Sequence, residues 1–472
     1  MAGLLVIRWR EQQTTGGVVT TQTSGVASES SAEPTRGAEL QRLLDEARKN
    51  PALASTALGL CVLDGKGEVL FEHNASTAFI PASSLKTVTT ATALEILGPE
   101  FRFQTELRAT APLTDGVISG DVVIVGGGDP LLSLEHLKSW AADLKNRGLT
   151  RVTGRIIGDG RLFPGTIFAD FWNWGDIGNA YGSSVSGLNL EHNRYEALFY
   201  VGEKEGDPAQ FAALFPNVPG VKWINEVTTG APDSGDGVVI YGGERTGIIH
   251  LRGTVPAGRK EFMAGGAVPD PERFAAHHLR EVLIAAGMSV EGAAVSMHEL
   301  VQEAAPVPQA SAVLITHASA SLVDLITSIH ATSDNHETEC LYRLLGVRAK
   351  KTPDAVIREH WKGRGLEFEG LRMVDGCGLA RADFIRPLDL ARLQYFAAHG
   401  PHGTVYKNSL LSKEDGSLRW KGGAMSSVRT VTGFVVGASG EEFSFAFMAN
   451  HYDDGGAVSE LREALIAAMR KG

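Results

Sequence analysis

Hydrophobic positions repeat at helical spacing near both ends of the chain and in short, turn-bounded runs through its middle. In AELQRLLDEARKN, Leu40, Leu43, Leu44 and Ala47 share one helical face, so ordered structure is expected to begin with a helix here. ALGLCVLDGKGEVLFEHN follows as two β-rich runs around a Gly-containing turn at 64–67, the pattern of a hairpin. FIPASSLKTVTTATALEILGP opens with Pro81 and small residues, turns Leu85, Val88 and Leu94 toward a core and stops at Gly98 and Pro99, which predicts a helix. From about 105 to 310 the runs shorten and are cut by Gly, Pro and Asp, as in GVISGDVVIVGGGDPLL and DGVVIYGGERTGIIHLRGTVPAG. Beyond 311 amphipathic segments return, with Leu322, Leu325, Ile326 and Ile329 on one face before a break at TSDN. VRTVTGFVVG and EFSFAFMAN then read as strands, and AVSELREALIAAMRKG as a closing helix.

Similar elements at both ends around a β-rich middle describe one α/β domain interrupted by an insertion. The chain, at 472 residues, exceeds one ordinary domain. Its 43% hydrophobic and 21% charged content suits a soluble globular protein. A net charge of −11 argues against a nucleic-acid partner, which would need clustered Lys and Arg. No apolar run approaches the roughly 20 residues of a membrane span, so no transmembrane segment is expected. Cys61, Cys340 and Cys377 lie far apart without a CxxC pair, so neither a disulfide framework nor a metal site is indicated, and no cofactor is expected. The short apolar run Leu4–Ile7 is followed rather than preceded by charge, and no export signal is read there.

A serine hydroxyl attacks only when something removes its proton, and a buried lysine can do so if the two side chains meet. Helix positions three apart share a face and positions two apart do not, so in PASSLK the spacing pairs Ser83, not Ser84, with Lys86. SDN at 333–335 falls in the break between two helices, and KGG at 421–423 is expected to precede a strand. Singly these read as a Ser/Thr-rich helix start, a capping turn and a β-turn. In this order they approach the SxxK, SDN, KTG series of serine β-lactamases and penicillin-binding proteins. Ser333 can relay a proton to a leaving amine, while Asn335 can hold Lys86 and a substrate amide. Lys421 offers positive potential to a carboxylate, and Gly422 and Gly423 let substrate backbone approach the strand edge. The backbone N–H groups of Ser83 and Ala424 form the expected oxyanion hole.

Beyond these motifs, GGGDPLL (126–132), YGSSVSGLNLEHN (181–193), SDNHETECL, VDGCGLARADFIRPLDL (374–390) and VRTVTGFV (428–435) resemble blocks of the class C low-molecular-mass penicillin-binding proteins, the D-alanyl-D-alanine carboxypeptidase/endopeptidase family. The resemblance covers most of residues 40–465. It implies a β-lactamase/transpeptidase-like fold, an antiparallel sheet flanked by helices, carrying a large β-rich insertion of two small domains. The chain then divides into a disordered lead-in (1–37), a first part of the transpeptidase-like domain (38–104), inserted domains (105–310, as about 105–192 with 288–310, and 193–287) and a second part (311–472). Implied too are an acyl-enzyme on Ser83, peptidoglycan stem peptides as substrates, β-lactams as covalent inhibitors, and a periplasmic or extracytoplasmic location. Asp176 lies where the family can place an acid for the stem peptide's free amine, and Met425 where a residue lines the same pocket.

Two departures stand out. KGGA replaces the family's KTGT, so Gly422 and Ala424 lack the hydroxyls that would hold the substrate's terminal carboxylate. DGCG replaces DGSG, which makes Cys377 a turn residue rather than a nucleophile. The alternatives are a peptidoglycan-binding or scaffolding relative weakened in turnover and, more remotely, an esterase or β-lactamase-like hydrolase. His336, Glu337 and Glu339 are expected on a helix surface rather than at a metal, and His277 and His278 are expected to be exposed.

Overall fold

The largest sheet joins the two ends of the chain, as seen in a computed structural model that describes residues 35–471. Its strands are β1 (Ala57–Leu63), β2 (Val69–His73), β3 (Leu411–Ser412), β4 (Leu418–Met425), β5 (Val428–Val436) and β6 (Glu442–Asn450), in the antiparallel order β3-β4-β5-β6-β1-β2. Alternate residues of β1 enter different cores. Leu58, Leu60 and Val62 join Phe443, Phe445 and Phe447 beneath helices α1 (Arg36–Lys49) and Gly455–Arg470. Cys61 and Leu63 face the larger helical layer on the other side. A strand covered on both faces is apolar almost throughout, which is how β1 and β6 read. The lead-in expected over 1–37 lies outside the described residues except at its end, where Arg36 and Gly37 already belong to α1.

At the centre of the helical layer is α2 (Lys86–Leu97), with α3 (Leu322–Thr332) and α4 (Asn335–Ala349) against it. Every residue of α2 from Lys86 to Leu94 is buried, its threonines included. Their hydroxyls stay satisfied inside the protein, Thr87 on Ser84 O, Thr90 on Lys86 O, Thr92 on Val88 O and Thr89 on Gly376 O. Leu85, Val88 and Leu94 face the core as their spacing predicts. Gly98, at φ 82°, ends the helix in a conformation that suits glycine.

Between α2 and α3 lie four smaller sheets. A five-stranded one has the order Ala294–Ser296, Ile156–Asp159, Val122–Val125, Gln104–Ala109, Ala312–Ala318. Its last strand lies past the expected boundary at 310 and pairs antiparallel with Gln104–Ala109. Helix Pro271–Ala285, expected in the second module, packs on Ile156–Asp159 and Ala294–Ser296 of the first. His278 on that helix is buried rather than exposed, with Nε2 2.9 Å from Asn217 O. Residues 194–267 form two three-stranded sheets, one antiparallel and one mixed.

Candidate active site

The chain enters α2 through a tight 3-10 turn, Ala82–Leu85, and the residues before and within it are fixed from three sides. Asn450 at the end of β6 accepts from Ile80 N (2.8 Å) and donates to Ile80 O (3.2 Å). Thr430 of β5 donates its hydroxyl to Pro81 O at 2.6 Å. Gly423 of β4 lies so close that a Cβ there would stand 2.7 Å from Ser83 N and 2.8 Å from Ser84 N. Ala82 adopts φ 46°, a left-handed conformation that costs an alanine on the order of 1–2 kcal/mol. Ser84, fully buried, spends its hydroxyl on Pro81 O at 2.7 Å. Ser83 is directed elsewhere.

Lys86 Nζ lies 3.0 Å from Ser83 Oγ, 2.6 Å from Asn335 Oδ1 and 2.7 Å from Cys377 O. A neutral amine has two N–H groups and one lone pair; the two carbonyl oxygens take the N–H groups, leaving the lone pair for the serine proton. After protonation the ammonium donates to the same three partners, so proton transfer needs no rearrangement. Burial pushes Lys86 below the ordinary lysine range, favouring the neutral form. Cys377 contributes its carbonyl, while burial raises its thiol well above the usual range. The DGCG turn is tied by Asp375, which accepts from Cys377 N, Gly378 N and Ala380 N and from Trp172 Nε1.

Ser333 stands between α3 and α4 at φ 62°, as the break in the amphipathic pattern predicts. Its Oγ accepts from Lys421 Nζ at 2.9 Å. Burial and then the nearby Lys86 pull Lys421 down to about 7. KGG does not precede a strand but lies inside β4. There the two-residue pleat packs Lys421 against Ser333 and Gly423 against the Ser83 turn, and leaves Gly422 and Ala424 in more open surroundings. Only Trp420 and Arg419 of β4 are covered by β3, so among the described residues 421–425 is a free edge. In a ladder closed by the two-residue turn at 426–427, pairs alternate from the bonded pair Met425 and Val428, which directs Gly422 N–H and Ala424 N–H outward along that edge. Met425 is half-buried beside the turn.

Asp176 is half-buried in the loop before Tyr181. Its carboxylate accepts from Tyr181 OH (2.9 Å) and Asn173 Nδ2 (2.8 Å). Asn335 Nδ2 donates to Tyr181 O at 2.8 Å, so only its second N–H is left for a substrate amide. His336, Glu337 and Glu339 are buried, against the expectation of a helix surface. His336 Nδ1 donates to Ser184 O at 3.0 Å, Glu337 Oε1 lies 3.0 Å from His192 Nε2, and Glu339 accepts from Gly376 N. Burial pushes Glu339 up to about 7. Asp334 N-caps α4 and bonds Arg194 at 2.7 Å. Arg194, Trp172 and the carbonyl of Cys377 were not anticipated. Each acts from a segment remote in sequence or through backbone, where residue type carries no signal.

The profile of the D-Ala-D-Ala carboxypeptidase 3 (S13) family matches residues 40–471. The D-alanyl-D-alanine carboxypeptidase of Actinomadura sp. (strain R39) is 28% identical over 470 residues, covering 93% of this chain and 86% of the relative. Among solved structures, penicillin binding protein 4 of Haemophilus influenzae is similar with a TM-score of 0.79 at 20% identity, covering 91% of this chain and 99% of that one. The same protein complexed with a β-lactam gives a TM-score of 0.73 at 19% identity over the same shares. The shared fold is a transpeptidase-like sheet flanked by helices.

Proposed function

Because the chain belongs to the D-Ala-D-Ala carboxypeptidase 3 (S13) family, we propose that Ser83 attacks the carbonyl of a D-alanyl-D-alanine bond while Lys86 takes its proton. The enzyme is a serine-type carboxypeptidase/endopeptidase. The observation that carries the assignment of residues is the Lys86 amine, buried and poised 3.0 Å from Ser83 Oγ between two carbonyl acceptors. Attack forms a tetrahedral oxyanion, held by Ser83 N–H and the outward N–H of Ala424. The C–N bond then breaks, the departing amine takes a proton through Ser333, and the acyl group stays on Ser83 until water releases it. Substrate backbone lies along the free edge of β4, and Gly423 lets that strand approach the Ser83 turn closely. Lys421, beneath Ser333, meets the terminal carboxylate, and Asp176 with Met425 meets the stem side chain.

The substrates are peptidoglycan stem peptides and their crosslinks, which places the enzyme outside the cytoplasm, and β-lactams acylate the same serine. The same reading keeps a transpeptidase-like unit with an insertion, its boundaries moved to 104 and 318 in keeping with strand pairing. A weakened binder remains a second reading because Gly422 and Ala424 offer no hydroxyl, each lost hydrogen bond to a charge costing about 1.5–3 kcal/mol. A Cβ on Gly422 would meet only Thr430 O, at 3.8 Å, so Gly422→Thr fits. The test is D-alanine release from an acyl-D-Ala-D-Ala peptide and cleavage of crosslinked muropeptides. Wild type turns over slowly, Gly422→Thr faster and Ser83→Ala not at all; no turnover in wild type or Gly422→Thr defeats the peptidase reading.

A further inference from the structure

We propose that Phe171 and Trp174 form a platform for the sugar strand of peptidoglycan, a subsite next to the peptide cleft that rests on the substrate reading above. Both rings are 61% exposed, in a protein whose other large side chains are mostly enclosed. Phe171 also holds φ 66°, an outlier for a bulky residue, and conformations of that kind persist where the surroundings impose them. The surroundings do impose it. Between the two exposed rings, Trp172 is buried with its Nε1 on Asp375, the carboxylate that also ties the turn beneath Lys86. On the far side Gly178 abuts Ile240, where a Cβ would stand 1.8 Å from the carbonyl oxygen, and Asn179 Oδ1 accepts Ile240 N.

The rings are backed as well as exposed. Trp174 stacks on Tyr241 with centroids 6.5 Å apart and planes at 26°, and Arg372 lies over Phe171 at 5.3 Å. An aromatic ring fixed in this way, with part of its surface open, suits the C–H face of a pyranose, which gains contact without charge. A peptide strand would need free backbone groups, but Asp176 N and Ile177 N are bonded to Asn173 O, and Asn179 N to Asp176 O. The platform is tied to the cleft through its own loop, which runs on to Tyr181, whose carbonyl accepts from Asn335 Nδ2. A stem peptide held in the cleft hangs from just such a sugar strand, so both parts of the polymer would be engaged at once.

The test compares polymer with peptide. Cosedimentation with purified peptidoglycan sacculi is measured in a Ser83→Ala background, and D-alanine release from a sugar-free stem peptide in the active enzyme. The combined Phe171→Ala, Trp174→Ala variant is expected to weaken sacculus binding by about tenfold while leaving turnover of the soluble peptide within about twofold. Trp174→Tyr, which keeps a ring, is expected to retain binding. Unchanged sacculus binding overturns the proposal, as does an equal loss on soluble peptide, which would make the rings part of the peptide pocket. A change from dimer to monomer in sedimentation overturns it too, by making them a self-association face. Wild type that binds sacculi but releases no D-alanine contradicts the peptidase reading instead.

Discussion

Lys86 and Lys421 are both buried lysines beside serines, yet the proposed chemistry asks one to be neutral and the other charged. Three partners around Lys86 serve its amine in either protonation state, and burial favours the neutral one. Lys421 has Ser333 Oγ and Gly422 O, and burial brings it down to about 7. It is therefore largely charged below that pH and loses its proton above it. For an acyl-D-Ala-D-Ala substrate, kcat/KM of the free enzyme is expected to fall as pH rises through about 7, mainly through KM. A C-terminally amidated analogue, with no carboxylate to meet, is expected to lack that fall. Parallel pH profiles for the two substrates would assign Lys421 no carboxylate role. His330, held between Thr90 and Ser409 beneath both lysines, adds no competing charge, since burial and then Lys421 bring it down to about 3.

At the scale of elements, the position of Ser333 depends on how α4 begins. Asp334 caps the helix by accepting Glu337 N at 2.9 Å, and Arg194, on strand Arg194–Tyr200 of the insertion, holds its other oxygen. Burial alone would raise Asp334, but Arg194 and then His192 keep its carboxyl far below the usual range. The insertion thus braces a loop of the catalytic unit. Arg194→Met strands that carboxylate and is expected to cost about 3 kcal/mol of stability at neutral pH, with a fall in kcat. The sign follows from the depressed value: the stabilisation is present above pH about 4 and disappears as pH falls below it. Thermal melts should show the largest gap between wild type and variant near pH 7, and a narrowing gap at pH 3. A gap independent of pH would assign the loss to packing rather than charge.

Across the whole molecule, sequence disclosed what is local. The hairpin at 57–73, the stop at Gly98, the break at 333 and the face shared by Ser83 and Lys86 all follow from short-range periodicity or turn chemistry. Long-range pairing was hidden: strand Ala312–Ala318 closes a sheet begun at Gln104, and no pattern within either segment names its partner. Burial on every side also defeated the reading, since the polar residues of NHETEC resemble a surface until Ser184, His192 and Gly376 are brought to them. Ala82 carries no sign of its left-handed turn, and KGG reads as a turn although pairing with 430–432 makes it strand. The fold gathers residues from three separate stretches into two sets of contacts, Ser83–Lys86–Asn335 and Ser333–Lys421, which meet in the 333–335 turn, and the central claim is that Ser83 is the reactive group. Peptide-resolved mass spectrometry after incubation with benzylpenicillin tests this most directly. One acyl adduct is expected on Ser83, absent in Ser83→Ala and retained in Ser84→Ala. An adduct that survives Ser83→Ala, or that Ser84→Ala alone removes, would contradict it.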